Sequence, residues 1–158
     1  MTQKKQPKTP IIGIDPGIAN TGFACSTCGV VRTVKTTSDC EIGQRLFDIR
    51  NTIENHCIEC LPDADGFCLE ATVVIEDFYG NFGKETKWLI GVLIEALWPC
   101  KLILVQPAKW VRDLFGKKNN GKFKACAIKL ARKRGWCPED QHQADAACLI
   151  EWAKKYNK

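Results

Sequence analysis

The sequence predicts an α/β protein with a mixed five-stranded sheet flanked by helices. Three short β-prone runs follow one another near the start of the chain, and strand-like and helical segments alternate after residue 42. A run of consecutive strands favours antiparallel pairing, whereas a strand–helix–strand order favours parallel pairing. The chain has 158 residues, a length that suits one domain with a real core.

The three leading strands are predicted from apolar runs separated by turn signals. The first is Ile11–Asp15, which Pro16 and Gly17 end. The next two, Thr21–Cys25 and Val30–Val34, flank a Cys-Gly pair and are typical of a hairpin.

Helices are predicted where apolar residues recur every three or four positions. This spacing predicts a helix over Ile42–Cys60, and a Pro- and Asp-containing loop follows over residues 61–70. The remaining predicted elements are a strand Ala71–Glu76, a helix Lys84–Trp98, a strand Leu102–Val105, and helices Ala108–Phe115, Phe123–Arg134 and Gln143–Tyr156.

The domain prediction is a flexible basic tail over residues 1–9 and a single domain over residues 10–158. No apolar stretch follows Met1–Pro10, so a secretory signal is not expected. The longest apolar run, Trp88–Trp98, contains Glu95 and is far shorter than the roughly 20 residues of a membrane span. We therefore expect an intracellular protein, or one in a virus- or organelle-associated DNA compartment, with no membrane partner.

Basic residues are concentrated in one segment. The formal net charge is +5, but Lys109–Arg134 holds ten basic residues and one acidic residue, Asp113. Such a concentration indicates a surface that contacts phosphate. A solvated helix face is the alternative.

The ten cysteines include two C-x-x-C pairs, Cys25/Cys28 and Cys57/Cys60. Together the two pairs could form a four-thiolate zinc site. Reduced thiols in the core or at the surface are the alternative, because cysteine often behaves as a small apolar residue.

Three carboxylates stand in apolar surroundings. Asp15 and Glu76 each end an apolar strand, and Asp145 lies in the predicted last helix beside alanines. Carboxylates that lose hydration and approach one another need a cation, and oxygen ligands suit Mg²⁺ or Mn²⁺. His142 precedes Asp145 by three residues and so shares its helix face. Taken singly, each position also fits a turn cap or a structural side chain.

Three motifs in this order resemble the RuvC family of Holliday-junction resolvases. They are Ile12–Gly17 followed by Thr21-Gly22, then Val74–Glu76, then His142–Ala147. The resemblance covers nearly the whole chain and implies an RNase H-like nuclease domain.

The resemblance implies an activity and a catalytic set. Asp15, Glu76, His142 and Asp145 would bind two Mg²⁺ ions, with Mn²⁺ as a substitute, and cut DNA at a phosphodiester. The expected function is a structure-selective endodeoxyribonuclease that resolves four-way junctions by paired nicks. The expected partners are branched DNA and a second copy of the chain, because a homodimer places two sites on opposing strands. Lys84–Trp98 is the expected dimer interface, and burial within the monomer is the alternative.

Two regions are expected to contact DNA. In the family an aromatic residue near the acidic motif lies close to the junction centre, which corresponds here to Tyr79, with Phe78 beside it. The basic segment would contact the phosphates of the DNA backbone. Its candidate residues are Arg112, Lys117, Lys118, Lys122 and Lys124.

Three other functions remain open from the sequence. One is a broader nuclease for flaps or forks on the same fold. Another is a non-catalytic, zinc-containing DNA-binding module, which would leave the carboxylates without a role. An actin-like ATPase also begins with a strand and an Asp-Gly turn, but this chain lacks a second nucleotide-binding half.

Overall fold

The computed structural model describes residues 9–60, 71–77, 83–98, 100–117 and 122–156, and they form one sheet with helices on both faces. The strands are β1 Ile11–Asp15, β2 Asn20–Cys25, β3 Val31–Lys35, β4 Thr72–Glu76 and β5 Lys101–Val105. The helices are α1 Ile42–Cys60, α2 Lys84–Ala96, α3 Pro107–Phe115, α4 Phe123–Lys133 and α5 Gln141–Tyr156. Nearly all of the predicted tail and the whole predicted loop at 61–70 lie outside the described residues.

The sheet has the strand order β3-β2-β1-β4-β5. β1 pairs antiparallel with β2, and β2 pairs antiparallel with β3. β4 pairs parallel with both β1 and β5. The predicted mixed five-stranded sheet is therefore confirmed.

Successive residues of the central strands face two different helical layers, because side chains alternate across a strand. Ile12 and Ile14 of β1 pack with α1 and α2 on one face. On the other face, Val74 of β4 packs with α3, α4 and α5, including the fully buried Trp110. Each layer thus has its own apolar core.

Helix α5 lies directly on the sheet because two strand glycines leave room for it. A Cβ on Gly13 would stand 2.1 Å from the carbonyl oxygen of Ala146, and one on Gly22 would stand 2.1 Å from that of His142. These contacts leave no space for any side chain at either position. They also bring the first two turns of α5 to the ends of β1 and β4.

None of the helices in the described part of the chain is both long and apolar enough to cross a bilayer.

Candidate active site

Parallel pairing brings Asp15 and Glu76 to the same edge of the sheet. The register of β1 and β4 pairs Ile14 with Ile75, so the two acids end neighbouring strands side by side. Alternation along each strand places both on the face that α5 covers. Both are nearly buried, with Asp15 6% exposed and Glu76 4% exposed.

The first two turns of α5 supply the other two members of the predicted set, His142 and Asp145. Asp140 accepts a hydrogen bond from the Gln143 backbone N–H at 2.9 Å, which is the contact that an N-cap residue makes. Asp140 also accepts from the Thr33 hydroxyl at 2.6 Å, so the helix start is tied to β3. His142 Nδ1 then lies 2.7 Å from Asp15 Oδ2.

The Glu76 carboxyl group is strongly destabilised as an anion. Burial raises its pKa to about 8, and the negative charge of Asp15 contributes in the same direction. Trp110 opposes this shift, because its Nε1–H donates to Glu76 Oε2 at 2.5 Å. Folding therefore places Glu76 where the charged form of its carboxyl group is poorly stabilised and the protonated form is favoured.

The carboxyl group of Asp145 is also destabilised as an anion. Burial, followed by the charge of Asp15, raises its pKa to about 7, and a hydrogen bond from Gln141 opposes the shift. Gln141 Nε2 lies 2.7 Å from Asp145 Oδ1. The pKa of His142 is raised in turn, chiefly by its hydrogen bond with Asp15.

The donor set fits a hard divalent cation. It contains three carboxylates and one imidazole, and a nearby positive charge would remove the repulsion that raises the two carboxyl pKa values. Among the described residues, however, no three ligand atoms of this set lie within 4.8 Å of one another. Since Mg²⁺ binds oxygen at about 2.1 Å, one ion could contact at most two of the side chains as they stand.

The structure describes four of the seven residues that are predicted to bind DNA. Lys124 lies close enough to Asp145 for its charge to lower the Asp145 pKa. Lys117 and Lys122 are exposed, and Arg112 Nε lies 3.9 Å from Asp113 Oδ1. Phe78, Tyr79 and Lys118 lie outside the described residues.

Three residues that surround the predicted set were not predicted from the sequence. Trp110 comes from α3, and Asp140 and Gln141 come from the start of α5. The i, i+4 spacing of Gln141 and Asp145 is a usable sequence signal. Trp110 has no local signal, because it reaches Glu76 across the fold.

The predicted four-cysteine zinc set is arranged differently in the structure. The sulfurs of Cys25 and Cys28 lie with the ring of His56 in one group, and Cys57 and Cys60 are not part of it. The sequence interpretation considered only the cysteines and overlooked this histidine.

Comparison with solved structures finds the same fold in RuvC and in a viral Holliday junction resolvase. RuvC of Thermus thermophilus superposes with a TM-score of 0.72 at 18% identity, covering 94% of this chain and 97% of that one. The same protein in complex with a Holliday junction substrate gives a TM-score of 0.67 at 17% identity, covering 94% of each chain. The fowlpox virus Holliday junction resolvase gives 0.50 at 14% identity, covering 94% of this chain and 96% of that one.

Sequence comparisons add nothing to this: no protein-family model and no curated protein matches the chain. The structural matches cover almost the full length of this chain and of each matched chain, so they concern the whole domain. The resemblance predicted from the three motifs is confirmed at the level of the fold, and the chain has the RNase H-like fold of RuvC.

Proposed function

We propose that the protein is a divalent-metal-dependent endonuclease that resolves four-way DNA junctions by paired nicks. The observation that carries the proposal is the convergence of Asp15, Glu76, His142 and Asp145 at one edge of the sheet, with two carboxyl groups held above their usual pKa. The shared fold supports the choice of substrate, because one of the similar structures contains a Holliday junction.

The four side chains would hold two Mg²⁺ ions, with Mn²⁺ as the expected substitute. The bound ions supply charge neutralisation at the scissile phosphate and a more acidic water. Glu76 and Asp145 must give up their protons for this role. Trp110 and Gln141 keep one oxygen of each carboxylate oriented by donating hydrogen bonds.

The basic segment is proposed to hold the DNA backbone. Lys124 opens α4 on the side of Asp145, where its ammonium group could meet a phosphate next to the cleaved bond. Lys117, Lys122 and Arg112 offer further exposed cations, and Lys118 is proposed to join them. Phe78 and Tyr79 are proposed to stack on bases at the branch point.

Symmetric cutting needs two sites, and we propose that a homodimer provides them. Helix α2 buries one stripe within the monomer, at Leu89, Ile90 and Leu93. Trp88 is nevertheless 51% exposed, and Trp98, just after the helix, is 72% exposed. A dimer interface along α2 would cover both rings. Such a nuclease would act where DNA branches form, inside a cell or a virus- or organelle-associated DNA compartment.

Cleavage of defined DNA structures tests the proposal. A synthetic four-way junction, a flap and a linear duplex of equal length are incubated with Mg²⁺ and with wild type, Glu76→Gln or Asp77→Asn. Asp77 is the matched control, because it is the adjacent carboxyl group and has no part in the catalytic set. We expect paired symmetric nicks in the junction from wild type and Asp77→Asn, and binding without cutting from Glu76→Gln.

Other outcomes would overturn the proposal in distinct ways. Equal cutting of flap and junction would show a broader branched-DNA nuclease. Full activity of Glu76→Gln would remove Glu76 from the catalytic set. Absence of cleavage with both Mg²⁺ and Mn²⁺ would leave a DNA-binding protein on a nuclease fold.

A further inference from the structure

We propose that Cys25, Cys28 and His56 bind a structural zinc ion at a site separate from the carboxylates. One ligand atom from each of the three residues lies within 4.8 Å of the others. Cys28 Sγ is 3.4 Å from His56 Nε2. With Zn–S near 2.3 Å and Zn–N near 2.0 Å, two ligands of a tetrahedral ion lie about 3.5 Å apart. The separation of sulfur and nitrogen is therefore already that of two zinc ligands.

The turn that carries the two cysteines directs backbone N–H groups at the Cys25 sulfur. Gly29 N–H donates to Cys25 O at 3.0 Å and closes the turn. Gly29 itself has a φ of 72°, a conformation that glycine adopts without strain. Burial raises the pKa of the Cys25 thiol, and the backbone N–H groups of Cys28 and Thr27, which are directed at its sulfur, act in the opposite direction. A thiolate that accepts N–H groups in this way is the form of cysteine that binds metal.

The histidine is held in the form that a metal requires. Burial and the charge of Arg32 lower the pKa of His56, so the ring is neutral near pH 7. Its second nitrogen, Nδ1, lies 4.0 Å from Cys60 Sγ. A hydrogen bond from Nδ1–H to the Cys60 sulfur leaves Nε2 free to face Cys28. In metal sites, a bound histidine is commonly oriented in this way by an outer partner of its second ring nitrogen. Phe23 packs against the ring edge-on, with the centroids 5.0 Å apart.

The position of the site indicates a structural role. Cys25 pairs with Ile12, whereas Asp15 ends the same β1 strand. Three residues of strand span about 10 Å, so the cluster sits toward the opposite end of the sheet from the catalytic set. The ion would join the β2–β3 turn to α1. The three protein ligands leave one tetrahedral position for water or another donor.

Metal analysis of the untagged full chain, purified without chelator, tests this inference. We expect about one zinc per chain in wild type. Cys28→Ser and His56→Gln should lose it, whereas Cys40→Ser, an exposed cysteine elsewhere, should keep it. Glu76→Gln should also keep it, which separates this ion from any metal at the carboxylates. Because Cys28 is exposed, its variant tests the site without disturbing the core.

Cobalt substitution gives a second readout that does not depend on activity. Co²⁺ bound by cysteine gives an intense sulfur-to-metal absorption band, and we expect this band in wild type and its loss in Cys28→Ser. A zinc-free wild type, or zinc retained by both ligand variants, would overturn the inference. A Cys25–Cys28 disulfide in protein purified under reducing conditions would also overturn it, because oxidised cysteines cannot bind zinc.

Discussion

Glu76 and Asp145 keep their protons at pH values where ordinary carboxyl groups are ionised. Their pKa values are about 8 and about 7, and in each case burial is the first cause. Under the proposed function, protons and metal ions would compete for the same oxygens. This competition links cleavage, metal concentration and pH.

We predict that cleavage at limiting Mg²⁺ rises steeply as the pH increases through 7 and 8. Deprotonation of both acids is needed for metal binding, so activity is lost as the pH falls through their pKa values. Saturating Mg²⁺ should move the profile to lower pH, because the ion displaces the protons. Single-turnover rates at two Mg²⁺ concentrations measure this shift. Profiles that coincide at both concentrations would contradict it.

A second prediction concerns the stability of the protein without added Mg²⁺. The folded state retains the Glu76 proton between pH 4.5 and about 8, whereas the unfolded state releases it. The free energy of unfolding therefore falls as the pH rises through this window. Glu76→Gln removes the penalty and should stabilise the protein above pH 8, by up to about 5 kcal/mol at roughly 1.4 kcal/mol per pKa unit.

Urea unfolding at pH 5 and pH 9 measures this difference. The variant and wild type should be close at pH 5 and separate at pH 9, and Mg²⁺ should stabilise wild type more than the variant. Asp77→Asn is the control for the loss of the neighbouring carboxyl group. A variant less stable than wild type at pH 9 would show that Glu76 is not a strained acid.

At the scale of the elements, the contact of α5 with β1 and β2 determines the geometry of the site. The glycines at positions 13 and 22 take the place of side chains that would hold the helix away. The positions of the proposed catalytic residues on α5 therefore depend on two residues that carry no functional group.

We predict that Gly13→Ala destabilises the protein and impairs cleavage. The added methyl group meets the Ala146 carbonyl at 2.1 Å, so α5 must shift, at a cost of about 1–3 kcal/mol for an overpacked core. Gly43→Ala is the control, because nothing lies within 4 Å of its Cβ and alanine favours α1 by about 1 kcal/mol. Urea unfolding and junction cleavage measure both variants. Equal stability of the two would contradict the close packing.

The element order and most boundaries could be predicted from the sequence, because apolar periodicity and turn residues are local signals. α3 begins at Pro107 and α5 at Gln141, each earlier than predicted. Proline is favoured at the first helical position, and Asp140 caps α5. Both signals are visible in the sequence but are weaker than apolar spacing.

The catalytic set could be proposed from motifs, but its surroundings could not. The pKa shifts of Glu76 and Asp145 arise from burial and from the proximity of Asp15, which only the folded chain establishes. The contact of Trp110 with Glu76 spans 34 residues. His56 was overlooked because its ligand partners lie on another element, at the β2–β3 turn.

For the whole molecule, two exposed tryptophans of the α2 region, Trp88 and Trp98, form apolar surface that the monomer leaves uncovered among the described residues. We predict that wild type is a dimer in solution and that Trp88→Ala weakens it at least about tenfold, since buried tryptophans are frequent interface anchors. Light scattering after size-exclusion chromatography measures the mass over a concentration series. Leu104→Ala on β5 is the control, because Leu104 is similarly exposed, at 47%. A monomeric wild type, or a control with the same effect, would place the interface elsewhere or remove it.

The order of the strands and helices along the chain also has a consequence during synthesis. Asp15 and Glu76 emerge from the ribosome well before α5, which carries His142 and Asp145 and supplies much of one core. A nascent chain without α5 has neither the complete set of ligands nor the cover that buries the two strand-end acids. Under the proposed function, a nascent chain gains nuclease activity only once α5 has folded onto the sheet, and a chain that terminates before α5 would not cut DNA.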